Sequence, residues 1–223
     1  MSLEGKPAIS GTVKPDPFSS NALAFLLRFV VIVAAMSALV YSVGADLIEE
    51  LLPAIRAEVE WLDGTYAIDD IRLDHEGADR VVRIQVHQAR CLVFESRTFC
   101  GDPRGWASAS TLVSSSLLVV VLTTAIAGAW PAARWREYLW RGLLLAPALA
   151  FASVLDAPML LWGAVWNMHH AAFAPGSFSP LLAWVEFMQG GGRLAVCIGL
   201  AVGIVVAARQ VSAQESHDRP SVN

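Results

Sequence analysis

Four stretches of the chain, 21–44, 109–130, 142–166 and 180–208, each run for about 20 residues or more with at most two formal charges, the length a helix needs to cross a hydrocarbon layer about 30 Å thick. An apolar helix in a soluble core stops at roughly 10 to 14 residues, so the repeated length argues against an ordinary globular domain. The composition agrees: with 55% hydrophobic and only 16% charged residues the chain is more apolar than one soluble core requires. The predicted fold class is an α-helical integral membrane protein with four transmembrane helices and a small α+β extracytoplasmic domain between helices 1 and 2.

The first stretch has two readings. Lys6 and Lys14 precede it and Ser42, Gly44 and Ala45 follow it, as in a secretory signal. A signal's apolar core is about 7 to 15 residues, and this one is longer, which favours an uncleaved anchor. No lipid-attachment motif accompanies it: Ser2 follows Met1, and no Cys lies near the C-terminus.

Orientation follows from short-loop arginines, because Lys and Arg resist translocation. Arg134, Arg136 and Arg141 fill the second connection, 131–141, and place it in the cytoplasm. Alternation then puts the tails 1–20 and 209–223 inside and the connections 45–108 and 167–179 outside. The long connection carries 13 acidic residues against seven arginines, the shorter one no formal charge, and Arg209 follows the fourth helix, all in agreement. The last residues, from Gln210 to Asn223, read as a short disordered tail.

Cys91 and Cys100 both fall in the long outer connection. Stable disulfides belong to oxidising compartments, and the segment between the two cysteines alternates apolar and polar residues as a hairpin would. A disulfide is expected; the alternatives are free thiols or a zinc site, which lacks further ligands at matching spacing. Cys197, inside the fourth helix, reads as a small residue facing lipid or the bundle. A bacterial inner membrane with a periplasmic domain fits this usage, with an endomembrane as the alternative.

Within the outer domain, Ile48, Leu51, Leu52, Ile55, Val59 and Leu62 follow helical spacing from Asp46, and Pro53 is expected to start or kink that helix. After Asp63-Gly64 the pattern turns to strands, Tyr66 to Leu73 and Arg80 to Gln88, with Val82, Ile84 and Val86 alternating against Arg83, Gln85 and His87. A strand pair around the cysteines is expected to complete one sheet, covered by the helix. So small a domain needs the disulfide and its two tethers for stability.

Polar residues inside the apolar stretches are the candidates for function, because each costs about 2.5 to 3.5 kcal/mol to insert and needs a partner or a wet cavity. Arg28 is close enough to the cytoplasmic surface to snorkel. Asp156, Glu186, Gln189 and Arg193 form the expected intramembrane cluster. Glu186, Gln189, Gly190 and Arg193 share one face of a continuous helix. Depth along the two helices brings Asp156 and Arg193 together near mid-membrane, with Glu186 as the competing partner for Arg193. The run Gly190-Gly191-Gly192 lets a backbone approach or the helix break, and Gly199 with Gly203 makes a small-xxx-small packing motif. The cluster reads either as a substrate or ion site at a broken helix or as polar glue between packed helices.

His169 and His170, with His75 and His87 also outside, are weak metal candidates, since adjacent side chains point apart; no metal site or other cofactor is expected. The tryptophans Trp106, Trp130, Trp135, Trp140, Trp162, Trp166 and Trp184 lie near predicted boundaries and read as an interfacial belt. There is no phosphate loop, His-Glu-x-x-His, Gly-x-Ser-x-Gly or Cys-x-x-Cys, and the acidic balance with no basic patch speaks against nucleic acid. Four spans without matching halves are few for a transporter of inverted repeats.

One helix, an outer domain of this size and then three helices resembles the layout of accessory membrane proteins encoded with exosortase-type sorting systems. The likeness is one of topology; the transpeptidases' own Cys, Arg and His pattern is not matched, and no residue roles follow from it. The expected function is a non-enzymatic accessory or scaffolding subunit of a bacterial envelope complex, linked to protein sorting or export and partnered by a larger integral membrane protein. The alternatives are a small membrane enzyme or translocating subunit using Asp156, Glu186 and Arg193, and a periplasmic metal or pH sensor.

Overall fold

The computed structural model describes residues 17–217 except 63, 95–96, 101 and 103–104. It is mostly helical, with three helices long and apolar enough to cross a membrane and a small three-stranded sheet at one end of them. Helix α1 runs from Pro17–Leu62, 46 residues and about 69 Å. The strands β1 (Tyr66–Glu76), β2 (Asp79–Gln88), β3 (Leu92–Phe94), β4 (Arg97–Phe99) and β5 (Trp106–Leu112) follow. Then come α2 (Val113–Ala129), α3 (Trp135–Phe173), α4 (Pro180–Phe187), a π-helical turn (Met188–Gly192) and α5 (Arg193–His217).

Helix α1 absorbs two expected elements into one. Nothing between Gly44 and Asp46 supplies a stop signal, and Pro53 neither starts nor ends the helix. The hydrogen bond that Pro53 removes is the one to the Glu49 carbonyl, and both residues are exposed, so water can replace it. Gly44 is buried where a Cβ would meet Leu117 of α2 at 2.8 Å, and Gly128 faces Ile32 at 3.1 Å. These two contacts show α1 and α2 running side by side in opposite directions along the full length of α2.

The main sheet has the order β1-β2-β5, antiparallel throughout. The β1–β2 turn is tighter than the expected strand ends at Leu73 and Arg80 imply: Glu76 pairs with Asp79, leaving only Gly77 and Ala78 outside the ladder, with Gly77 at φ 64°. The third strand is β5, not the segment around the cysteines. Its residues 109–112 were expected to begin the second transmembrane helix, but they pair with Val81 to Ile84 of β2, and α2 starts only at Val113. β3 and β4 form a separate hairpin, tied by the expected disulfide with Cα atoms 4.2 Å apart. At the other end α5 stays helical to His217, past the point where the tail was expected to lose structure; residues 218–223 lie outside the described residues.

One core joins sheet and helices. Ile55 and Val59 of α1, Ile68, Ile84 and Ala109 of the sheet, Val113 and Leu117 of α2, and Leu161 and Val165 of α3 pack as a single buried cluster. The sheet is therefore a continuation of the helical bundle and has no separate core of its own. Smaller clusters fill the rest of the bundle, one around Val119, Ala152 and Cys197, another around Ala127, Ala201 and Ile204.

Candidate functional site

The inner charges converge on one pair. Arg193 Nε donates to Asp156 Oδ1 at 2.7 Å, joining α5 to α3. The Asp156 side chain is 2% exposed and that of Arg193 18%, so neither charge is solvated as a surface pair would be. Asp156 lies close to the middle of α3 (Trp135–Phe173) and lines one cavity with Ser116 and Val120 from the start of α2.

Arg193 is aimed by a break in its helix. The turn Met188–Gly192 is π-helical, and Gly191 holds φ 110°, which residues with a Cβ rarely adopt. At Gly192 a Cβ would collide with the ring and carbonyl of Phe187 at 2.5 to 2.6 Å. The expected single polar face therefore does not exist. Glu186 and Gln189 precede or sit within the break; both are exposed and, among the described residues, neither has a hydrogen bond or ion pair.

The second Asp156 oxygen, Oδ2, is buried without a hydrogen-bond partner. The Asp156 residue also lines a partly open cavity of about 90 Å³ between α1, α2 and α3. The wall is mainly apolar, with Leu47, Ile48 and Ile55 from α1 and Val119 from α2, but Glu58 of α1 and Ser116 of α2 also line it. Ser116 Oγ is likewise buried without a partner. Next to this site, Cys197 faces the bundle, with Sγ 3.8 Å from the Val119 carbonyl. Trp184 Nε1 donates to the Leu155 carbonyl at 3.2 Å, one residue from the carbonyl of Val154 that Pro158 leaves without an N–H.

Close helix contacts are made by other glycines than the expected pair. Gly199 and Gly203 are exposed, and a Cβ at either would meet nothing within 4 Å among the described residues. At Gly163 a Cβ would run into Val185 Cγ2, so α3 and α4 approach closely here.

The histidines separate as adjacent residues on a helix must. His169 Nδ1 donates to the Val165 carbonyl at 3.1 Å, and its ring packs on Tyr66. His170 is buried, with Nε2 2.8 Å from Ser177 Oγ. Since that hydroxyl spends its own proton on the Ala174 carbonyl, the His170 nitrogen is the donor. His87 instead contacts Asp69 at 2.7 Å. Among the described residues no three metal-ligating side chains cluster.

A second buried ionic group went unread in the sequence. Arg141 is 4% exposed and donates to the carbonyls of Ala127 at 3.1 Å, Trp130 at 2.5 Å and Pro131 at 3.3 Å, closing the C-terminus of α2. Glu137, also buried, lies 3.4 Å from it, and Arg209 reaches the Pro131 carbonyl at 3.1 Å. Cations at a helix C-terminus satisfy its orphan carbonyls and its dipole. The sequence signal was the arginine count in this connection, which was assigned to orientation alone.

At the sheet end a larger groove of about 550 Å³ opens between the end of α3, the strands and the disulfide hairpin. Tyr66, His169, Phe173 and Trp106 give it aromatic walls, and Gln88 and Asp102 give it polar ones. Trp106 is 69% exposed. Comparison of the chain with protein-family models, curated proteins and solved structures finds no match among any of them.

Proposed function

We propose that this chain is a four-span protein of a bacterial inner membrane with both termini in the cytoplasm. In this reading it is a non-enzymatic accessory subunit of an envelope complex, and its outer domain receives a segment of a partner or substrate protein handled by a larger membrane component. The observation that carries this reading is the aromatic groove at the sheet end, built on a core continuous with the helices. A groove fixed to the bundle can report or hold a partner at a defined height above the membrane. Exposed Trp beside Tyr and Phe is the chemistry of interface anchors.

The fourth span is α2. Its 17 residues reach about 26 Å, the short end of the spanning range, and it lies beside the apolar half of α1 from Gly44 to Ile32. The exposed Arg134 and the half-buried Arg136 at the far end support a cytoplasmic second connection. The competing reading, an intramembrane site that handles a substrate, has the orphaned Asp156 oxygen in its favour but lacks Glu186 and Gln189, which stand away from the pair.

The test is a photoreactive amino acid at position 106 in the full chain in cells, with position 61, a still more exposed tryptophan elsewhere, as control. The expected result is one stoichiometric adduct from position 106, absent from position 61, whose partner also co-purifies with the unmodified chain and is lost with Trp106→Ala. Equal labelling from both positions, or purification of the chain alone with no adduct, overturns the proposal.

A further inference from the structure

A groove of about 630 Å³ lies between α1 and α2, and among the described residues none from α3, α4 or α5 lines it, so it opens outward from the bundle. Its walls follow helical spacing. Val113, Leu117 and Val121 stand at i, i+4 and i+8 on α2, and Ser37, Tyr41 and Ala45 do the same on α1. Eight residues at 1.5 Å each make the groove about 12 Å long. The β1–β2 turn roofs its upper end through Asp79 and Arg80, because Val81, the next residue, pairs with Leu112 at the start of α2.

Charge and shape together decide the occupant. Asp79 and Arg80 are exposed, and among the described residues neither side chain makes a hydrogen bond or an ion pair, whereas Asp74, Glu76 and Arg83 on the same two strands are paired. Below this acid and base the walls are aliphatic, with Val40, Leu117 and Val121. The matching molecule is an amphiphile with charges of both signs at its head and an apolar body beneath. The roof excludes a second spanning helix, which would run into the β1–β2 turn if laid along the groove. A lipid ends at that height.

We propose, resting on the reading of α1 and α2 as spans, that this groove holds one zwitterionic glycerophospholipid whose head carries a primary ammonium. The phosphate lies against Arg80, since a guanidinium donates to phosphate oxygens in charge-assisted bonds. The ammonium lies against the Asp79 carboxylate, and one acyl chain follows the groove between α1 and α2. A phospholipid with an anionic, amine-free head satisfies Arg80 but is repelled by Asp79, so the two side chains together select against it. Tyr41, exposed on the rim, supplies the amphipathic ring common at membrane surfaces. A lipid held in this way ties the β1–β2 turn to the membrane and fixes the height of the sheet above it.

Native mass spectrometry of the full chain in detergent tests the site, with dioleoyl phosphatidylethanolamine and dioleoyl phosphatidylglycerol as the two probes. The expected result is one tightly held phosphatidylethanolamine, bound about tenfold more weakly in Arg80→Gln and unchanged in Arg72→Gln, an exposed arginine on the outer face of the same sheet. Asp79→Asn should bring the two lipids to similar affinity. Leu118→Trp, which fills the groove from an exposed position, should lose the bound lipid without lowering the melting temperature. Equal affinity for both lipids in the parent chain, or an adduct indifferent to Arg80→Gln and Leu118→Trp, overturns the proposal. So does a dimer that Leu118→Trp dissociates, since the occupant is then a second copy of the chain. Reporter fusions read the spans without reference to lipid, so intact spans with no such adduct sink the lipid site alone.

Discussion

Asp156 is the residue on which most of the bundle's polar chemistry turns. It is 1% exposed, bonded through one oxygen and orphaned at the other. Removing one partner of such a pair leaves a buried charge uncompensated, typically a loss of about 3 to 5 kcal/mol, whereas removing both can be far milder. We expect Asp156→Ala and Arg193→Ala each to lower thermal stability severely, and the double variant to be clearly less damaged than the two losses added. Additive losses in a thermal-shift series would show the two residues uncoupled. This pair was legible in the sequence because charges in long apolar runs are few and must find each other. Glu186 and Gln189 were misread for the opposite reason: placing them on the face of Arg193 presumed an unbroken 3.6-residue repeat, and the π turn with Gly191 intervenes. On the surface, Asp74 shows a weaker effect. The His75 backbone N–H, and then Arg83, hold its carboxyl below the usual range, so what stability it contributes is present at neutral pH and lost as pH falls through its lowered value.

At the scale of elements, the break between α4 and α5 sets the direction of Arg193. Gly191 is required for its conformation, whereas Gly190 is not: neither has a neighbour within 4 Å of a built Cβ, but only Gly191 has positive φ. Gly191→Ala should therefore cost about 1 to 3 kcal/mol through backbone strain, and Gly190→Ala should be nearly neutral. Comparison of the two variants by thermal unfolding isolates the conformational effect from any effect of side-chain bulk. Equal losses would mean that the positive φ is not what matters there. The glycine run made a break legible, but its location within the run was not, since three successive glycines are equivalent in a sequence. Boundaries fared less well for a related reason. Residues 109–112 are Ala-Ser-Thr-Leu, apolar enough to extend a helix and β-branched enough to pair with β2, and only the ladder to Val81–Ile84 decides between them.

For the whole molecule, the shared core makes the sheet and the helices one mechanical unit, which ties the disulfide to the question of sidedness. The Cys91–Cys100 hairpin lies at the sheet end, whereas Arg134, Arg136 and Arg209 lie at the other, and Cys197 is buried between. In the proposed orientation the sheet end faces an oxidising compartment, where such a disulfide persists, and the arginine end faces the cytoplasm. A reporter fused after Gly77 should then be exported and one fused after Ala133 or Asn223 retained. Because α2 is the shortest of the four proposed spans, the fusion after Ala133 is the decisive one: if α2 does not cross, that reporter and the Gly77 reporter lie on the same side. Thiol labelling in intact membranes checks the same arrangement chemically. Cys91 and Cys100 should become reactive only after reduction, while Cys197, bonded toward the Val119 carbonyl inside the bundle, should be indifferent to the reductant. Untreated Cys91 and Cys100 that label as readily as they do after reduction would place the hairpin in a reducing compartment and reverse the orientation of every helix with it.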